Sequence, residues 1–158
     1  MTEPTIVELP DRPYVAIPGT VTMQTIGKIA DRFPEMFGWL AGKGVAPAGS
    51  PFLRYKVIDM EGELELEAGI PVAEAVPGEG DIIAGTLPGG RFATVSHHGH
   101  VDGLADVTGA LLAWADERGL AWDREGRRWG CRMEVYNTNP AEVSDMNEWD
   151  TDIQIRLA

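Results

Sequence analysis

The stretch YVAI at residues 14–17 returns as FATV at residues 92–95, 78 positions later, and this pair indicates how the chain is organised. Both segments are rich in β-branched and aromatic residues, which favour strands. At the same offset, Tyr55 falls on Met133 within a second pair of strand candidates. A helical pattern follows each copy of the first segment. The sequence therefore predicts an internal repeat, with the order strand–helix–strand–strand in each half.

Outward from the first copy, the elements of the first half follow from periodicity and from breaker residues. Pro18 is expected to end the first strand, Thr22 to cap the helix, and Pro34 to kink it, because proline has no N–H for the helical ladder. Leucines and glutamates alternate in the last strand, which predicts a solvated face that carries Glu67. The expected elements are a strand at 13–17, a helix from 22 towards 42, and strands at 52–59 and 63–72.

The second half begins after the linker at 77–83, which is rich in proline, glycine and acidic residues. Its expected elements are a strand at 91–95, a helix at 101–118, and strands at 129–136 and 150–157. Each half, of about 75 residues, is too small to bury much core alone. We therefore expect one α+β domain over 1–158, in which two pseudo-repeats, 5–76 and 84–158, join into a single sheet.

The charge of the chain excludes some classes of partner. Asp and Glu number 25 against 13 Lys and Arg, which gives a net charge of −12. Nucleic acid and anionic membrane would repel such a molecule as a whole, so neither is an expected partner. Cys131 is the only cysteine, which rules out a disulfide within the chain and favours a reducing compartment. No apolar run approaches membrane-spanning length, and we expect a cytoplasmic protein.

The segment WGCRMEVY at residues 129–136 is the strongest candidate for a site. Strand alternation places Cys131, Met133 and Val135 on one face, and Arg132, Glu134 and Tyr136 on the other. We expect the apolar set to pack under the helices. The other face is then either a solvated surface with ion pairs or a cation site, in which a carboxylate acts together with aromatic rings. The candidate rings are Tyr136, Trp149, Tyr55 and Phe52.

Other chemical motifs in the sequence are weaker. The three histidines lie at 97, 98 and 100, but in a strand His97 and His98 would point to opposite faces, so we expect no metal site. Cys131 is expected to be inert because it lies on the packed face. The chain has neither a G-x-S-x-G elbow nor a phosphate-binding glycine loop, and no cofactor is expected.

Several short motifs occur in a characteristic order: GKGVAP at 42–47, PFLRY at 51–55, IPV at 70–72, RMEVY at 132–136 and NP at 139–140. In this order they resemble the GyrI-like small-molecule-binding domain. That domain also forms the effector-binding half of multidrug-responsive regulators of the MerR and AraC types. The resemblance implies duplicated β-α-β-β units in one curved antiparallel sheet, with two helices on the convex face and a ligand cleft on the concave face.

The resemblance also implies a ligand class and a set of site residues. Family members are similar in binding bulky, hydrophobic, often cationic aromatic compounds around a glutamate, which falls here on Glu134. Tyr136 and Trp149 match aromatic neighbours in the cleft. Arg132 flanks the glutamate, and His100, at the turn before the second helix, is expected to cap that helix or to touch a ligand at the mouth of the cleft. The expected partners are therefore hydrophobic and cationic small molecules.

The resemblance departs from the regulators at one point and leaves alternatives open. Only about a dozen residues precede Tyr14, which predicts a stand-alone domain without direct contact to nucleic acid. One alternative is a hydrolase that opens strained, cyclopropanoid-type electrophiles, with Glu134 positioning water. Another is an inhibitor of DNA gyrase, and a protein partner or a homodimer also stays open.

Overall fold

An antiparallel sheet of ten strands carries two main helices on one face. The computed structural model describes residues 3–59 and 61–158. The strands are β1 Thr5–Leu9, β2 Arg12–Val21, β3 Phe52–Ile58, β4 Leu64–Pro71, β5 Ile83–Leu87, β6 Gly90–His98, β7 Arg124–Glu125, β8 Arg128–Trp129, β9 Arg132–Tyr136 and β10 Asp150–Arg156. The helices are α1 Gly27–Ala30, which is a single turn, α2 Phe33–Gly42 and α3 Leu104–Glu117.

The order of the strands explains why the two halves form one unit. The main path is β1-β6-β10-β9-β3-β4-β2-β5, and the short hairpin β7–β8 attaches to β3. The pair β9–β3 joins the two halves at the centre. Strand β1 pairs with β6, and β5 pairs with β2, so strands also cross between the halves at both ends of the sheet. The α+β class, the two helices and the curled antiparallel sheet are confirmed.

The strand pairings are equivalent in the two halves, and they correct one of the predicted alignments. Strands β2–β4–β3 are arranged as β6–β10–β9 are. Tyr55 lies opposite Leu66 of β4, and Tyr136 lies opposite Thr151 of β10, at the corresponding step of each ladder. The structural counterpart of Tyr55 is therefore Tyr136. The predicted match of Tyr55 with Met133 is wrong, because the connections between strands differ in length and the offset is not constant along the chain.

The pairing pattern is the basis on which we propose the duplication itself. The two units are again taken as 5–76 and 84–158 within one domain over 1–158. Under the equivalence of β3 and β9, Leu53 corresponds to Glu134, and these two residues face each other across the central strand pair. The pseudo-symmetry axis thus passes next to Glu134.

The helical region of the first half begins later than predicted. Thr22 opens a turn, in which Thr25 Oγ1 accepts a hydrogen bond from the Thr22 N–H at 2.8 Å, and α1 starts only at Gly27. Pro34 interrupts the run as expected, but it does so as a residue of the first turn of α2, where its missing N–H costs nothing. In the second half, Gly119 has a φ of 66° just after α3, which fits the predicted helix stop.

Two strand boundaries also differ from expectation. Pro18 and Gly19 do not end β2, which runs on to Val21 against β4. A Cβ at Gly19 would overlap the side chain of Ile29, so the glycine allows α1 to lie close to the sheet. The strand predicted at 129–136 is divided into β8 and β9. Strands β1 and β5 were not predicted, because each is a short apolar run next to proline or glycine.

The two faces of the sheet form separate cores. The helix-bearing face packs Met36 and Leu40 of α2, and Leu111 of α3, onto the sheet in two clusters. The opposite face packs residues of β2, β3, β5, β6 and β9 in a third cluster: Tyr14, Ala16, Phe52, Leu87, Phe92, Cys131 and Met133, with Val135 against it. The prediction that Cys131, Met133 and Val135 lie under the helices is therefore wrong. The curl of the sheet provides their apolar surroundings instead.

Glu67 lies on this opposite face and is not solvated as predicted. Glu67 is 2% exposed, and its carboxylate accepts a hydrogen bond from Tyr14 Oη at 2.6 Å. Arg54 Nη1 lies 3.6 Å from the same carboxylate oxygen. A buried carboxylate is stable only with such partners. The alternation of leucine and glutamate in β4 therefore does not reveal that Glu67 belongs to a polar network inside the curl of the sheet.

Candidate functional site

A cavity of about 1610 Å³ lies between the two helices, over the centre of the sheet. Its walls include Ile26, Phe33 and Phe37 from the first helical region, and Leu104 and Leu112 from α3. Its floor includes Leu53, Tyr55, Arg132, Glu134, Tyr136 and Ile153 from the sheet. The cavity thus opens on the face that carries the helices, which flank it. This differs from the expected division, in which the helices and the cleft occupy opposite faces.

Glu134 is held at the floor of this cavity by two tyrosines. Tyr55 Oη donates a hydrogen bond to Glu134 Oε1 at 2.9 Å, and Tyr136 Oη donates one to the same oxygen at 2.8 Å. The two donors are the pseudo-symmetric counterparts on β3 and β9. Among the residues that the structure describes, no donor reaches Glu134 Oε2. The carboxylate is therefore oriented through one of its two oxygens.

The tyrosines that hold Glu134 remain neutral donors. Burial is the main cause that raises the pKa of Tyr55 well above its usual value, and the negative charge of Glu134 adds to the effect. Burial and the charge of Glu134 raise the pKa of Tyr136 in the same order. Both phenols keep their protons at neutral pH, so both hydrogen bonds to the carboxylate persist.

Aromatic side chains fix the shape of the cavity around the carboxylate. Phe33 packs edge-on against Tyr136, with ring centroids 6.3 Å apart. Trp149 lines the cavity and donates from Nε1 to the carbonyl oxygen of Val143 at 2.8 Å, which fixes its indole. These rings present flat apolar surfaces to any molecule next to Glu134.

Arg132 is the second charged group on the floor, two residues before Glu134 on β9. Its Cζ lies 4.5 Å from the centroid of the buried Trp129 ring, and Arg124 Cζ lies 5.1 Å from the same centroid. Burial lowers the pKa of the Arg132 guanidinium, against the opposing effect of Tyr55 and Glu134. The cavity therefore holds a cationic and an anionic group on one strand.

Comparison with known proteins assigns the chain to a family. The model of the GyrI-like small molecule binding domain matches residues 2–158. The chain belongs to this family. No curated protein sequence matches it.

Several solved structures share the fold of this GyrI-like domain. The crystal structure of the EcmrR C-terminal domain is 20% identical, with a TM-score of 0.83, and the match covers 99% of this chain and 97% of that one. In a cryo-EM structure of an EcmrR–DNA complex the identity is again 20% and the TM-score 0.84, and the match covers 98% of this chain but 57% of the longer one. SAV2435 bound to tetraphenylphosphonium is 12% identical, with a TM-score of 0.65 and coverage of 99% and 94%. At these identities the likeness shows the fold alone.

Two of the predicted site residues lie away from the cavity. Phe52 is 2% exposed and packs against Tyr14 on the opposite face, with ring centroids 5.6 Å apart. Its neighbours on β3 point the other way, so one step along the strand separates it from the site. His100 caps the turn before α3, where its Nδ1 accepts a hydrogen bond from the Asp102 N–H at 3.0 Å. The structure brings together the other five: Tyr55, Arg132, Glu134, Tyr136 and Trp149.

The remaining candidates for chemistry have local roles in the structure. His98 Nδ1 lies 2.7 Å from Asp150 Oδ1, and this hydrogen bond is the main cause that raises the pKa of His98. His97 Nε2 lies 3.0 Å from the carbonyl oxygen of His100. No three metal-binding side chains converge within the described part of the chain. Burial raises the pKa of the Cys131 thiol to about 11. None of the helices described is long and apolar enough to cross a membrane.

Sequence reasoning missed the contribution of the helices to the site. Phe37 is 38% exposed and Met23 is 42% exposed, and both line the cavity. Helical spacing alone places Phe33, Phe37 and Leu40 on one face of this region, and it does not distinguish a residue that lines a cavity from one in the core. The sequence did contain a signal for this surface. Helix α2 has other large apolar residues besides Met36 and Leu40, yet only these two are buried. An apolar surplus on a short helix indicates a second contact surface.

Proposed function

We propose that the protein binds bulky hydrophobic compounds, preferentially aromatic cations, in the cavity between its helices, with Glu134 as the counter-charge. The observation that carries this proposal is the position of Glu134. It lies on the floor of an apolar cavity, with one carboxylate oxygen held by Tyr55 and Tyr136 and the other directed to no protein donor that the structure describes.

The electrostatics of the cavity favour a cation. A carboxylate within about 4–6 Å of a cation gains Coulomb energy that water screens only partly inside an apolar cleft. The faces of Tyr55, Tyr136 and Trp149 add a negative quadrupole, which attracts a delocalised cation further. A neutral molecule of the same shape would gain only the apolar contacts.

The size of the cavity favours large and varied ligands. Its volume of about 1610 Å³ exceeds the range of roughly 300–1,000 Å³ that is usual for small-molecule sites. Apolar walls read shape loosely, and this suits a protein that accepts several compounds. The structural neighbour SAV2435, which was solved with tetraphenylphosphonium, supports this choice of probe.

The test is a calorimetric titration with tetraphenylphosphonium and with tetraphenylborate, an anion of nearly the same shape. We expect the cation to bind and the anion to bind far more weakly. Glu134→Gln keeps an acceptor for both tyrosines but removes the charge, so it should weaken binding of the cation at least about tenfold, or ~1.4 kcal/mol. The borate should bind no more weakly than before.

The matched control is Glu117→Gln, which removes the same charge from an exposed position at the end of α3. It should leave both affinities unchanged. If Glu134→Gln and Glu117→Gln bind tetraphenylphosphonium equally well, the counter-charge role is excluded. Product analysis of strained electrophiles incubated with the same three proteins tests the hydrolase alternative.

A further inference from the structure

Arg132 is a cation on the floor of the same cavity that has no carboxylate in contact with it. Its guanidinium is half-buried and stacks on Trp129, with Arg124 near the same ring. Within the described residues, no carboxylate lies within 4.0 Å of either arginine, although acids outnumber bases by 25 to 13 in the chain. Five other arginines do have such partners, Arg32 with Glu35, Arg54 with Glu67, Arg127 with Asp59, Arg128 with Glu65 and Arg156 with Asp123. Arg12, Arg91 and Arg118 have none among the described residues, but they do not line this cavity.

The surroundings of Arg132 have removed water without placing a carboxylate in contact with it, although the charge of Glu134 acts on it from a longer distance. Burial is the first cause that lowers its pKa, which means that the charged guanidinium has lost solvation. A stacked tryptophan compensates for part of this loss but offers no hydrogen-bond acceptor. A guanidinium has five N–H donors in a planar fork that fits a carboxylate. A ligand with an anionic group would satisfy these donors.

Strand β9 fixes the distance between the two charged groups, because it carries both of them. Arg132 and Glu134 are two residues apart on the same face, so their backbone positions are about 7 Å apart. The equivalent positions in the first half are Pro51, just before β3, and Leu53 on β3, and neither carries a charge. Both charged groups on the cavity floor therefore come from the second half of the chain. The line from the positive to the negative group runs along β9.

We propose that this cavity takes zwitterionic aromatic compounds, with their cationic centre at Glu134 and a carboxylate at Arg132. The inference rests on the proposed function and narrows the ligand class within it. A ligand that carries a cation alone leaves Arg132 uncompensated and places a second positive charge near it. A zwitterion satisfies both groups and can bind in one orientation only.

The test uses rhodamine B and its ethyl ester, which differ only in whether the carboxylate is free. Fluorescence anisotropy gives both dissociation constants. We expect wild-type protein to bind the free acid at least about fivefold more tightly than the ester. Arg132→Gln should reduce this ratio to about one or lower, while the ester binds as well as before or better. Arg132→Lys, which keeps the charge without the fork, should retain part of the preference.

The matched control is Arg128→Gln, which removes an exposed arginine outside the cavity and should leave the ratio unchanged. Comparable near-ultraviolet circular dichroism of all variants establishes that they are folded. A wild-type ratio of one or lower, or a ratio that Arg132→Gln leaves unchanged, overturns the inference. The affinity for the ester tests the proposed function separately. If Glu134→Gln binds the ester as tightly as wild type does, the proposed function is excluded, whatever the ratio of acid to ester affinity.

Discussion

At the residue scale, the site is organised by hydrogen bonds from tyrosine hydroxyls to carboxylates. The chain has three tyrosines, and each of them donates a hydrogen bond to a carboxylate, Tyr14 to Glu67 and the other two to Glu134. Burial raises the pKa of all three above the usual value. Each face of the sheet therefore holds a tyrosine–carboxylate cluster, but only the helix-bearing face combines its cluster with the large cavity.

This pattern predicts how the protein responds to alkali. A group whose pKa is higher in the folded state stabilises the fold fully below its unfolded pKa, here about 10, and that stabilisation is lost as the pH rises further. We expect no phenolate absorbance from native protein near pH 10–11, and its cooperative appearance on alkaline unfolding. Spectrophotometric titration against free tyrosine measures this. A phenolate that appears at pH 10 while far-ultraviolet circular dichroism is still native would contradict the burial of the tyrosines.

At the element scale, each helix has one side on the sheet and another on the cavity. Met36 is fully buried against the sheet, whereas its neighbour Phe37 is 38% exposed at the cavity. Met36→Ala should lower the free energy of unfolding by about 2–5 kcal/mol, because it leaves a hole in the core. Phe37→Ala should lower it by less than about 1 kcal/mol but weaken binding of tetraphenylphosphonium. Chemical denaturation and titration of both variants separate the two roles.

The same two residues provide the check on this division of α2. If Phe37→Ala binds the cation as wild type does, the exposed side of the helix is not part of the binding site. If Met36→Ala unfolds no more easily than Phe37→Ala, the packing of α2 on the sheet is not as the structure shows.

The elements also show how far the sequence leads towards the structure. Alternation in β4 and β9, and the breakers around them, place most strands to within a few residues. They do not identify which face of β9 meets the helices, because an apolar set packs equally well inside the curl of the sheet. The swap of β1 and β5 between the halves depends on long-range pairing, for which short apolar runs contain no signal.

The placement of the candidate site residues was predictable to a similar degree. Spacing alone places Arg132, Glu134 and Tyr136 on one face, and the structure brings Tyr55 and Trp149 to them. Phe52 was misplaced because a strand residue changes face with each step, and the register of β3 against β9 follows from tertiary pairing. The correspondence of Tyr55 with Tyr136 emerges only from the registers of β3 against β4 and of β9 against β10.

At the scale of the whole molecule, the strands and helices around the cavity are arranged with pseudo-symmetry, but the side chains at its centre differ between the two halves. Two equivalent strands meet at the centre, two helices flank them, and the space between the helices is open. One half contributes Leu53 at the central position and the other contributes Glu134. The net charge of −12 attracts cations to the protein in general, whereas in the proposed function the carboxylate at the centre determines where a cation is held.

The most direct measurement is a crystal structure of the protein with tetraphenylphosphonium. We expect the phosphorus atom between the two helices, within roughly 6 Å of the Glu134 carboxylate, with phenyl rings against Tyr136 and Trp149. Tyr55 and Tyr136 should still donate to Glu134 Oε1. A cation bound outside this cavity, or inside it but well away from Glu134, would contradict the central claim.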